Sequence, residues 1–338
     1  MLVVLKPESQ VMNIAEQLID SKATIFRAGV WKPRTRPGSF EGVGEKALPW
    51  LQRVKKETGL ITAIEIANTD HIKLALDYDV DILWIGARTT VNPFAVQDIA
   101  DELQNTDKII WVKNPVNPDL ELWIGAVERL IQAGIKNIGA IHRGFSSYNS
   151  SHYRNPPKWQ IPIDFRRKMP DIPMICDPSH ICGNRDTLEN VAQTALDLQY
   201  DGIMLEVHNT PDDAWSDAKQ QITPSVFKEL IYRLVVRQKS IEGEEFLSKL
   251  SLLRAEIDTL DMKIIDILYD RMQIVKDIGK VKKEQNVAVF QKERFNDILL
   301  KLIEYGNKMG LSRELINTIM KAIHIESIAT QEKIINEK

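Results

Sequence analysis

The 338-residue sequence has very little cysteine, no membrane-length apolar run and no excess of charge of one sign. Two cysteines, Cys176 and Cys182, are too few for a disulfide framework, so we expect the reducing cytoplasm as the compartment. The apolar runs are far shorter than the roughly 20 residues that cross a bilayer, and "MLVVLKPESQ" lacks the basic and apolar segments of a signal peptide. A formal net charge of −3 gives no reason to expect a nucleic acid or a membrane surface as partner.

The first two thirds of the chain alternates short β-rich runs with amphipathic helical stretches. Eight runs are continuously apolar, as strands buried on both faces should be. They are "LVVL" (2–5), "TIFR" (24–27), "ITAIEI" (61–66), "DILWIG" (81–86), "IIWVK" (109–113), "NIGAIHR" (137–143), "IPMICD" (172–177) and "GIMLEV" (202–207). Eight strands and eight helices close an α/β (β/α)8 TIM barrel of roughly 240 residues, which we predict for residues 1–238. An open doubly wound sheet also alternates β and α and is the alternative.

A polar linker over residues 239–246 is followed by an all-α domain, predicted for residues 247–338. Apolar residues recur with 3-4 spacing from Leu250 to Val281, which predicts one long helix with a coiled-coil-like seam. Two further helices are predicted over 291–308 and 313–335, with Ser312 as N-cap of the last. Three helices cannot cover that seam alone, so we expect a homodimer of intertwined helices, or a larger assembly.

Cationic side chains lie where the predicted strands end, which is where active sites of such barrels are found. The loop "RAGVWKPRTRPG" (27–38) alone holds four cations and no acid. Arginine binds phosphate or carboxylate in bidentate fashion, so the set predicts a pocket for two anionic substrates. The alternative is that each cation is an ordinary surface group. The set is Arg27, Lys32, Arg34, Arg88, Lys113 and Arg143.

One imidazole and two carboxylates lie at or beyond the ends of the last two predicted strands. They belong to His180, Glu206 and Asp217. Such a set suits a divalent cation with an open position for a carbonyl oxygen. The alternative is three ordinary polar residues.

Five motifs stand out in this half: "FRAGVWKPRT", "IGARTT", "DPSH", "EVH" and "WSDAKQQITP". Together they resemble the metal-dependent 3-deoxy-D-arabino-heptulosonate 7-phosphate (DAHP) synthases. The resemblance implies the condensation of phosphoenolpyruvate with erythrose 4-phosphate at the head of aromatic biosynthesis. It also implies a divalent metal ion, with Mn, Fe, Co and Zn not distinguished, that polarises the aldehyde as a Lewis acid.

The same resemblance implies a role for each site residue. Arg27, Lys32, Arg88, Lys113 and Arg143 look like the phosphoenolpyruvate site, with Lys32 catalytic. Arg34 and Thr35 look like the site for the phosphate of erythrose 4-phosphate. His180, Glu206 and Asp217 look like the metal ligands.

The first strand departs from that family. The family carries a "GPCS" motif there, whose cysteine is the fourth metal ligand, whereas this sequence reads "VVLKPES" and has no cysteine before Cys176. Cys182 is either a substitute ligand or a small buried thiol. Two interpretations stay open: a condensing barrel with an altered metal site, or a silent barrel that is a ligand-binding or regulatory scaffold for an activity of the helical half.

Polar residues interrupt the apolar faces of the predicted C-terminal helices. Arg271 lies in the seam, Lys282 follows three turns later on the same face, and Ser327 and Gln331 lie on the apolar stripe of the last helix. They predict either a lined pocket or a buried polar network that fixes helix register. Arg254 lies about a quarter turn off that face, in reach of a partner chain.

This half resembles the all-helical chorismate mutases through "LRAEIDTLDMKIIDILYDRMQIVKDIGKVK" and "ESIATQ". The resemblance implies rearrangement of chorismate to prephenate without a cofactor. A pericyclic rearrangement needs only a folded dicarboxylate and charge near the ether oxygen. Lys282 and Gln331 would be the catalytic residues at the ether oxygen. The binding set would add Arg254, Arg271, Arg294 and Ser327.

Two positions of the helical half depart from the usual mutase pattern. Gln291 stands where an acidic residue is usual. Phe295 stands where a glutamate that receives the substrate hydroxyl is usual. The departures concern hydroxyl recognition and leave the cations in place.

Overall fold

A computed structural model describes residues 2–3, 8–34, 38–148, 152–238, 244–290 and 292–337. Contacts divide the chain into two compact units, Met1–Lys239 and Ser240–Lys338. Among the described residues, no helix combines the length and apolar character needed to cross a membrane.

The first unit contains one sheet of eight parallel strands in sequence order. All eight predicted strands are present, with ends that differ from the prediction by a few residues. They are β1 (Leu2–Val3), β2 (Ile25–Ala28), β3 (Ile61–Ile66), β4 (Ile82–Ile85), β5 (Ile109–Lys113), β6 (Ile138–His142), β7 (Met174–Cys176) and β8 (Gly202–Ile203). Because the strands are parallel and adjacent, their carboxyl ends meet at one edge.

The described part of this unit contains ten α-helices, where the sequence predicted eight. They are α1 (Glu8–Leu18), α2 (Leu48–Thr58), α3 (Thr69–Asp77), α4 (Ala87–Thr90), α5 (Pro93–Glu102), α6 (Leu120–Gln132), α7 (Gln160–Lys168), α8 (Pro178–Cys182), α9 (Leu188–Asp197) and α10 (Pro224–Arg233). The two additional helices, α4 and α8, have four and five residues and directly follow β4 and β7. They are too short to show an apolar period, and they carry Arg88 and His180 to the carboxyl edge of the sheet.

Local sequence fixes where the longer helices begin and end. The side chain of Asn92 accepts hydrogen bonds from the first turn of α5, and that of Asp119 does so for α6. At the other end of α2, Gly59 adopts φ 71°, the left-handed conformation that stops a helix at low steric cost.

Apolar side chains pack on both faces of the sheet. The large cluster lies between the sheet and the helices and includes Trp123 and Phe165. A smaller cluster on the other face joins Ala63, Trp84 and Trp111 with Met204, which follows β8. Since residues of β3 to β5 pack against a residue beyond β8, the sheet is strongly curved.

The second unit consists of three helices, α11 (Glu244–Glu284), α12 (Lys292–Lys308) and α13 (Arg313–Asn336). Ser312 caps α13 as predicted, since its Oγ accepts a hydrogen bond of 3.1 Å from the Leu315 amide. α11 begins at Glu244, inside the segment predicted as linker. Both α11 and α12 pack on α13, and the predicted seam of α11 is about half exposed, for example at Leu260 (56%) and Ile264 (54%).

Candidate active sites

A cavity of about 60 Å³ lies at the carboxyl ends of the strands of the first unit. Different elements bring its charged lining together: β2 and the loop after it, β3, α4, β5, α8, and the segment after β8. Five of the six predicted cations line it. The charged lining is Arg27, Lys32, Arg34, Glu65, Arg88, Lys113, His180 and Asp217.

The sixth cation, Arg143, follows β6 and lies close to the same charges. Its amide donates a hydrogen bond of 2.7 Å to Asn114 Oδ1, which fixes the start of the loop. Burial lowers the pKa of Arg143 to about 10, and the neighbouring Asp177 opposes that shift. The guanidinium is therefore still charged at neutral pH. Thr35, predicted beside Arg34, lies outside the described residues.

Asp177 is the central anion of this edge, and sequence reasoning missed it as a functional residue. Its fully buried carboxylate lies 3.3 Å from Arg27 Nη1, 3.1 Å from Lys113 Nζ and 2.9 Å from His180 Nδ1. Although burial opposes ionisation, His180 and Lys113 hold the pKa of Asp177 well below its ordinary value. The motif "DPSH" contained the signal, but an aspartate before proline reads equally well as a helix cap, which Asp177 also is through the His180 amide.

Arg27 on β2 is held on several sides at once. Its side chain is 2% exposed, its Nη2 lies 3.6 Å from Glu206 Oε1, and its guanidinium stacks over Trp84 at 4.9 Å. A cation buried in this way needs such partners, because an unpaired buried charge is very unfavourable. The interactions fix the guanidinium at the floor of the cavity.

Lys32, Arg34 and Asp217 form a second charged group, at the rim. Lys32 Nζ donates a 2.8 Å hydrogen bond to Ser216 Oγ and lies 3.9 Å from Asp217 Oδ2. Arg34 Nη1 lies 3.7 Å from the same oxygen. Burial lowers the pKa of Lys32, against the effect of the carboxylates of Glu206 and Asp217.

Asp217, the third predicted metal ligand, forms ion pairs with cations. Arg154 Nη1 donates a 2.8 Å hydrogen bond to Asp217 Oδ1, and although burial acts the other way, His180 and Arg154 hold the pKa of Asp217 below its ordinary value. Asp217 also has φ 56°, a left-handed conformation that aspartate tolerates better than most residues. Among the described residues, no three His, Cys, Asp or Glu side chains are grouped closely enough to hold a metal ion.

The other two predicted ligands face each other. His180 Nε2 lies 3.9 Å from Glu206 Oε1, and that buried oxygen makes no hydrogen bond, whereas Oε2 accepts one of 2.6 Å from Gln220. Two donors at this separation can share one metal ion with ligand bonds of about 2.0–2.2 Å. The pair therefore fits a divalent cation.

Neither position considered for a cysteine ligand adds a sulfur donor to the pair of His180 and Glu206 among the described residues. The first-strand residues 4–7 lie outside the described residues. Cys182 is buried, and burial raises the pKa of its thiol to about 11. Cys182 does not line the cavity that His180 lines, which favours the interpretation of Cys182 as a buried thiol.

The second unit contains a cavity of about 200 Å³ between its three helices. Its lining includes three cations and no acidic residue. Within the described chain, none of these three cations forms an ion pair with a carboxylate. The polar lining is Arg271, Lys282, Arg294, His324, Ser327 and Gln331.

Neutral groups hold two of these cations in place. Arg271 Nη1 donates a 2.7 Å hydrogen bond to Ser327 Oγ, and Lys282 Nζ donates one of 2.6 Å to the Val289 carbonyl. Burial and the neighbouring Arg294 lower the pKa of Lys282. Gln331 is buried with its Oε1 unpaired. The lining of the cavity is thus positively charged, with no acidic residue in it.

One predicted binding residue of this unit lies outside the cavity. Arg254 is exposed on α11 and does not line the cavity. Gln291 lies outside the described residues. Phe295 lines the cavity and stacks on His324, with ring centroids 3.9 Å apart. His324 was missed, because a single histidine on a helix carries no pattern.

Comparisons with known proteins agree with this division. The sequence model of the DAHP synthetase I family matches residues 3–241, and that of chorismate mutase type II matches residues 253–332. The phospho-2-dehydro-3-deoxyheptonate aldolase of Thermotoga maritima is 29% identical over 224 residues, which cover 66% of this chain and 64% of that protein. The bifunctional chorismate mutase/prephenate dehydratase of Buchnera aphidicola subsp. Acyrthosiphon pisum is 37% identical over 90 residues, which cover 27% of this chain and 23% of that protein.

A solved structure supports the fold of the first unit. The crystal structure of the Thermotoga maritima DAHP synthase superposes with a TM-score of 0.61 at 27% identity, and covers 69% of this chain and 67% of that one. The chain thus spans about two thirds of the Thermotoga protein and about a quarter of the Buchnera one.

Proposed function

We propose that this chain, which belongs to the DAHP synthetase I family and carries a C-terminal chorismate mutase type II domain, catalyses one reaction in each part. The first unit condenses phosphoenolpyruvate with erythrose 4-phosphate to DAHP. The second rearranges chorismate to prephenate. Both reactions belong to aromatic amino acid biosynthesis, the shikimate pathway, and we place the chain in the cytoplasm, where its two free, buried cysteines stay reduced.

A closed (β/α)8 barrel is the architecture we propose for the first unit. Two contacts support closure: Arg27 of β2 reaches Asp177 beyond β7, and α1 packs on α10. We set the domain boundaries at 1–238 and 247–338, which the two compact units and the two family matches support.

One observation supports the proposed condensation: cations from several strands surround one cavity. Arg27, Lys113, Arg88 and Arg143 supply the positive charge that holds the phosphate and carboxylate of phosphoenolpyruvate. Lys32, whose pKa is lowered by burial, is placed to transfer a proton at the rim. Arg34 and Thr35 would hold the phosphate of the second substrate.

His180 and Glu206, which face each other, would hold the divalent metal, and Asp217 would join them as third ligand on release from its ion pair with Arg154. When bound, such an ion polarises the aldehyde of erythrose 4-phosphate as a Lewis acid. The residues of the chain position the ligands and the substrates. The Asp177 carboxylate lies 2.9 Å from His180 Nδ1, and the other ring nitrogen, Nε2, faces Glu206.

The test of the first unit is the consumption of phosphoenolpyruvate by the full chain, with and without erythrose 4-phosphate and added Mn²⁺. Consumption that needs both substrates and is lost in Lys113→Met supports the proposal. Lys108→Met is a matched control, because Lys108 pairs with the exposed Asp79 away from the cavity. If phosphoenolpyruvate is not consumed either with or without added Mn²⁺, the proposed condensation is contradicted.

A second candidate for the first unit is a silent scaffold that binds a ligand without turning it over. The engagement of Asp217 by Arg154, Lys32 and Arg34 favours it, because that carboxylate is already paired. Saturable phosphoenolpyruvate binding without condensation, lost in Lys113→Met, would favour this candidate.

The proposed mutase activity is supported by the cavity of the second unit, whose lining has three cations and no acidic residue. Arg271 and Arg294 would hold the two carboxylates of chorismate, and Lys282 and Gln331 would stabilise charge at the ether oxygen. Ser327 positions Arg271 through their 2.7 Å hydrogen bond. No cofactor has a role in this proposal.

Lys282→Ala tests the mutase. It should lower kcat by a factor of about 10² to 10³, as expected for loss of a donor that acts mainly in the transition state. Lys280→Ala is the control, because Lys280 lies on the same helix but is 65% exposed and pairs with Asp277. Activity of Lys282→Ala within threefold of the parent would contradict the assignment.

A homodimer through the helical unit completes the proposal. The seam of α11 exposes apolar residues over about four turns, from Leu253 (49% exposed) to Ile267 (66%), and such a surface favours association. Arg254 lies on the same helix outside the cavity. In a dimer it would complete the pocket of the partner.

A further inference from the structure

The cavity of the second unit contains the imidazole of His324, which has no role in the mutase reaction as proposed above. His324 lies on α13, one turn before Ser327, and lines the cavity. Its Nε2 is buried and makes no hydrogen bond. A buried nitrogen without a partner is unfavourable in the free protein, so a ligand that pairs with it gains that interaction on binding.

The imidazole is held by aromatic rings of neighbouring segments. The ring of Phe295, on α12, stacks on His324 with centroids 3.9 Å apart and planes 18° apart. Phe290 lies against it at 5.8 Å. Stacking fixes the plane of the imidazole, and therefore the direction in which its nitrogens point.

The position of Phe295 gives this arrangement a chemical meaning. In the mutases that the sequence resembles, the residue at this position is a glutamate that receives the substrate hydroxyl. A phenyl ring accepts no such hydrogen bond, but it places a nitrogen acceptor in the same corner of the cavity.

The surrounding charges keep that acceptor neutral. Arg271, Lys282 and Arg294 line the cavity with no acidic residue among them. Burial and the nearby Arg271 lower the pKa of His324, so the ring is unprotonated at neutral pH. A neutral imidazole with its proton on Nδ1 accepts a hydrogen bond at Nε2.

We propose that His324 binds the ring hydroxyl of chorismate, which donates a hydrogen bond to Nε2, and thereby replaces the glutamate that Phe295 displaced. The inference rests on the proposed mutase function of this cavity. It makes His324 a substrate-binding residue that determines specificity for a hydroxylated ring.

The experiment compares two substrates on three variants of the full chain. The substrates are chorismate and an analogue whose ring hydroxyl is replaced by hydrogen. His324→Leu removes the acceptor, His324→Gln keeps one, and Met320→Leu alters an apolar wall one turn away on the same helix. Circular dichroism and the oligomeric state establish that each variant is folded.

The measured quantity is the ratio of kcat/KM for chorismate to that for the analogue. In His324→Leu this ratio should fall about tenfold, because kcat/KM for chorismate drops while that for the analogue stays within about twofold. His324→Gln should recover part of the ratio, and Met320→Leu should keep it.

Each outcome bears on a different claim. A folded His324→Leu variant with the parental ratio, in a chain that rearranges chorismate, would overturn the role of His324 and leave the mutase intact. Equal losses on both substrates would also overturn it, since they show a general role in packing. A parent chain without mutase activity would overturn the proposed function, and this inference with it.

Discussion

Replacing Asp177 by asparagine is the most direct test of the charge arrangement at the carboxyl edge of the sheet. The substitution keeps the shape of the side chain and removes the charge that Arg27 and Lys113 share at 3.3 and 3.1 Å. Both cations are almost fully buried, so water cannot compensate. Removing one partner of a buried ion pair destabilises a protein by about 3–5 kcal/mol, which is a large part of the roughly 5–15 kcal/mol of a typical domain.

Tryptophan fluorescence isolates this effect. All seven tryptophans precede residue 216, so their emission reports the unfolding of the first unit only. Urea unfolding of Asp177→Asn followed by tryptophan fluorescence should show the loss of about 3–5 kcal/mol. The mutase rate of the same sample reports the second unit and should not change.

Asp79→Asn is the matched control. Asp79 also pairs with two lysines, Lys55 and Lys108, but it is 67% exposed. An exposed pair contributes about 0–1 kcal/mol. The same chemical change should therefore have little effect on unfolding.

Acid and anions should modify the loss in Asp177→Asn in known directions. The pKa of Asp177 is lowered in the folded chain, so its contribution is present above about pH 3.9 and is lost as the pH falls through the lower folded value. The difference between parent and variant should thus shrink in acid. Added phosphate should restore stability to the variant, since an anion that binds only the folded state stabilises it. A loss below about 1 kcal/mol with no response to phosphate would refute the reasoning.

Two further predictions concern the dimer and the metal. Mixing the inactive Arg254→Ala and Lys282→Ala chains should restore about a quarter of the parental mutase activity, because each mixed dimer has one intact pocket; no recovery after subunit exchange would show that Arg254 serves its own chain or none. Arg154→Leu should tighten Mn²⁺ binding, measured by electron paramagnetic resonance titration, because Asp217 Oδ1 loses its 2.8 Å partner. Arg237→Leu, which disrupts an exposed pair with Asp197, should leave Mn²⁺ binding as in the parent, and equal affinity in all three chains would contradict the argument.

Convergence of the cations could be predicted from sequence because parallel strands in sequence order leave little freedom. Residues that directly follow such strands meet at one edge, whatever the details of packing. For Arg27 and Lys113, the position at the end of a strand was enough to predict that they lie at this edge. The same logic applied to α11, where the 3-4 period placed Arg271 and Lys282 on one face.

The residues that sequence reasoning missed depend on contacts across the fold. Asp177 gains its importance from Arg27 and Lys113, which are 150 and 64 residues away in the chain. His324 gains its importance from Phe295 on another helix. The short helices α4 and α8 were missed because four or five residues cannot show a helical period.

The two cavities handle positive charge in opposite ways, and this has a consequence for binding. In the first unit, buried carboxylates of Asp177 and Glu206 already pair with Arg27 at 3.3 and 3.6 Å. An anionic substrate there must compete with them, so its affinity depends on how far these pairs can be shared. In the second unit, Arg271 and Lys282 are held by a hydroxyl and a carbonyl, which are neutral. A dicarboxylate there meets cations that are positioned but not neutralised, so the helical cavity is preorganised for its ligand, whereas the cavity of the sheet must rearrange its ion pairs to accept one.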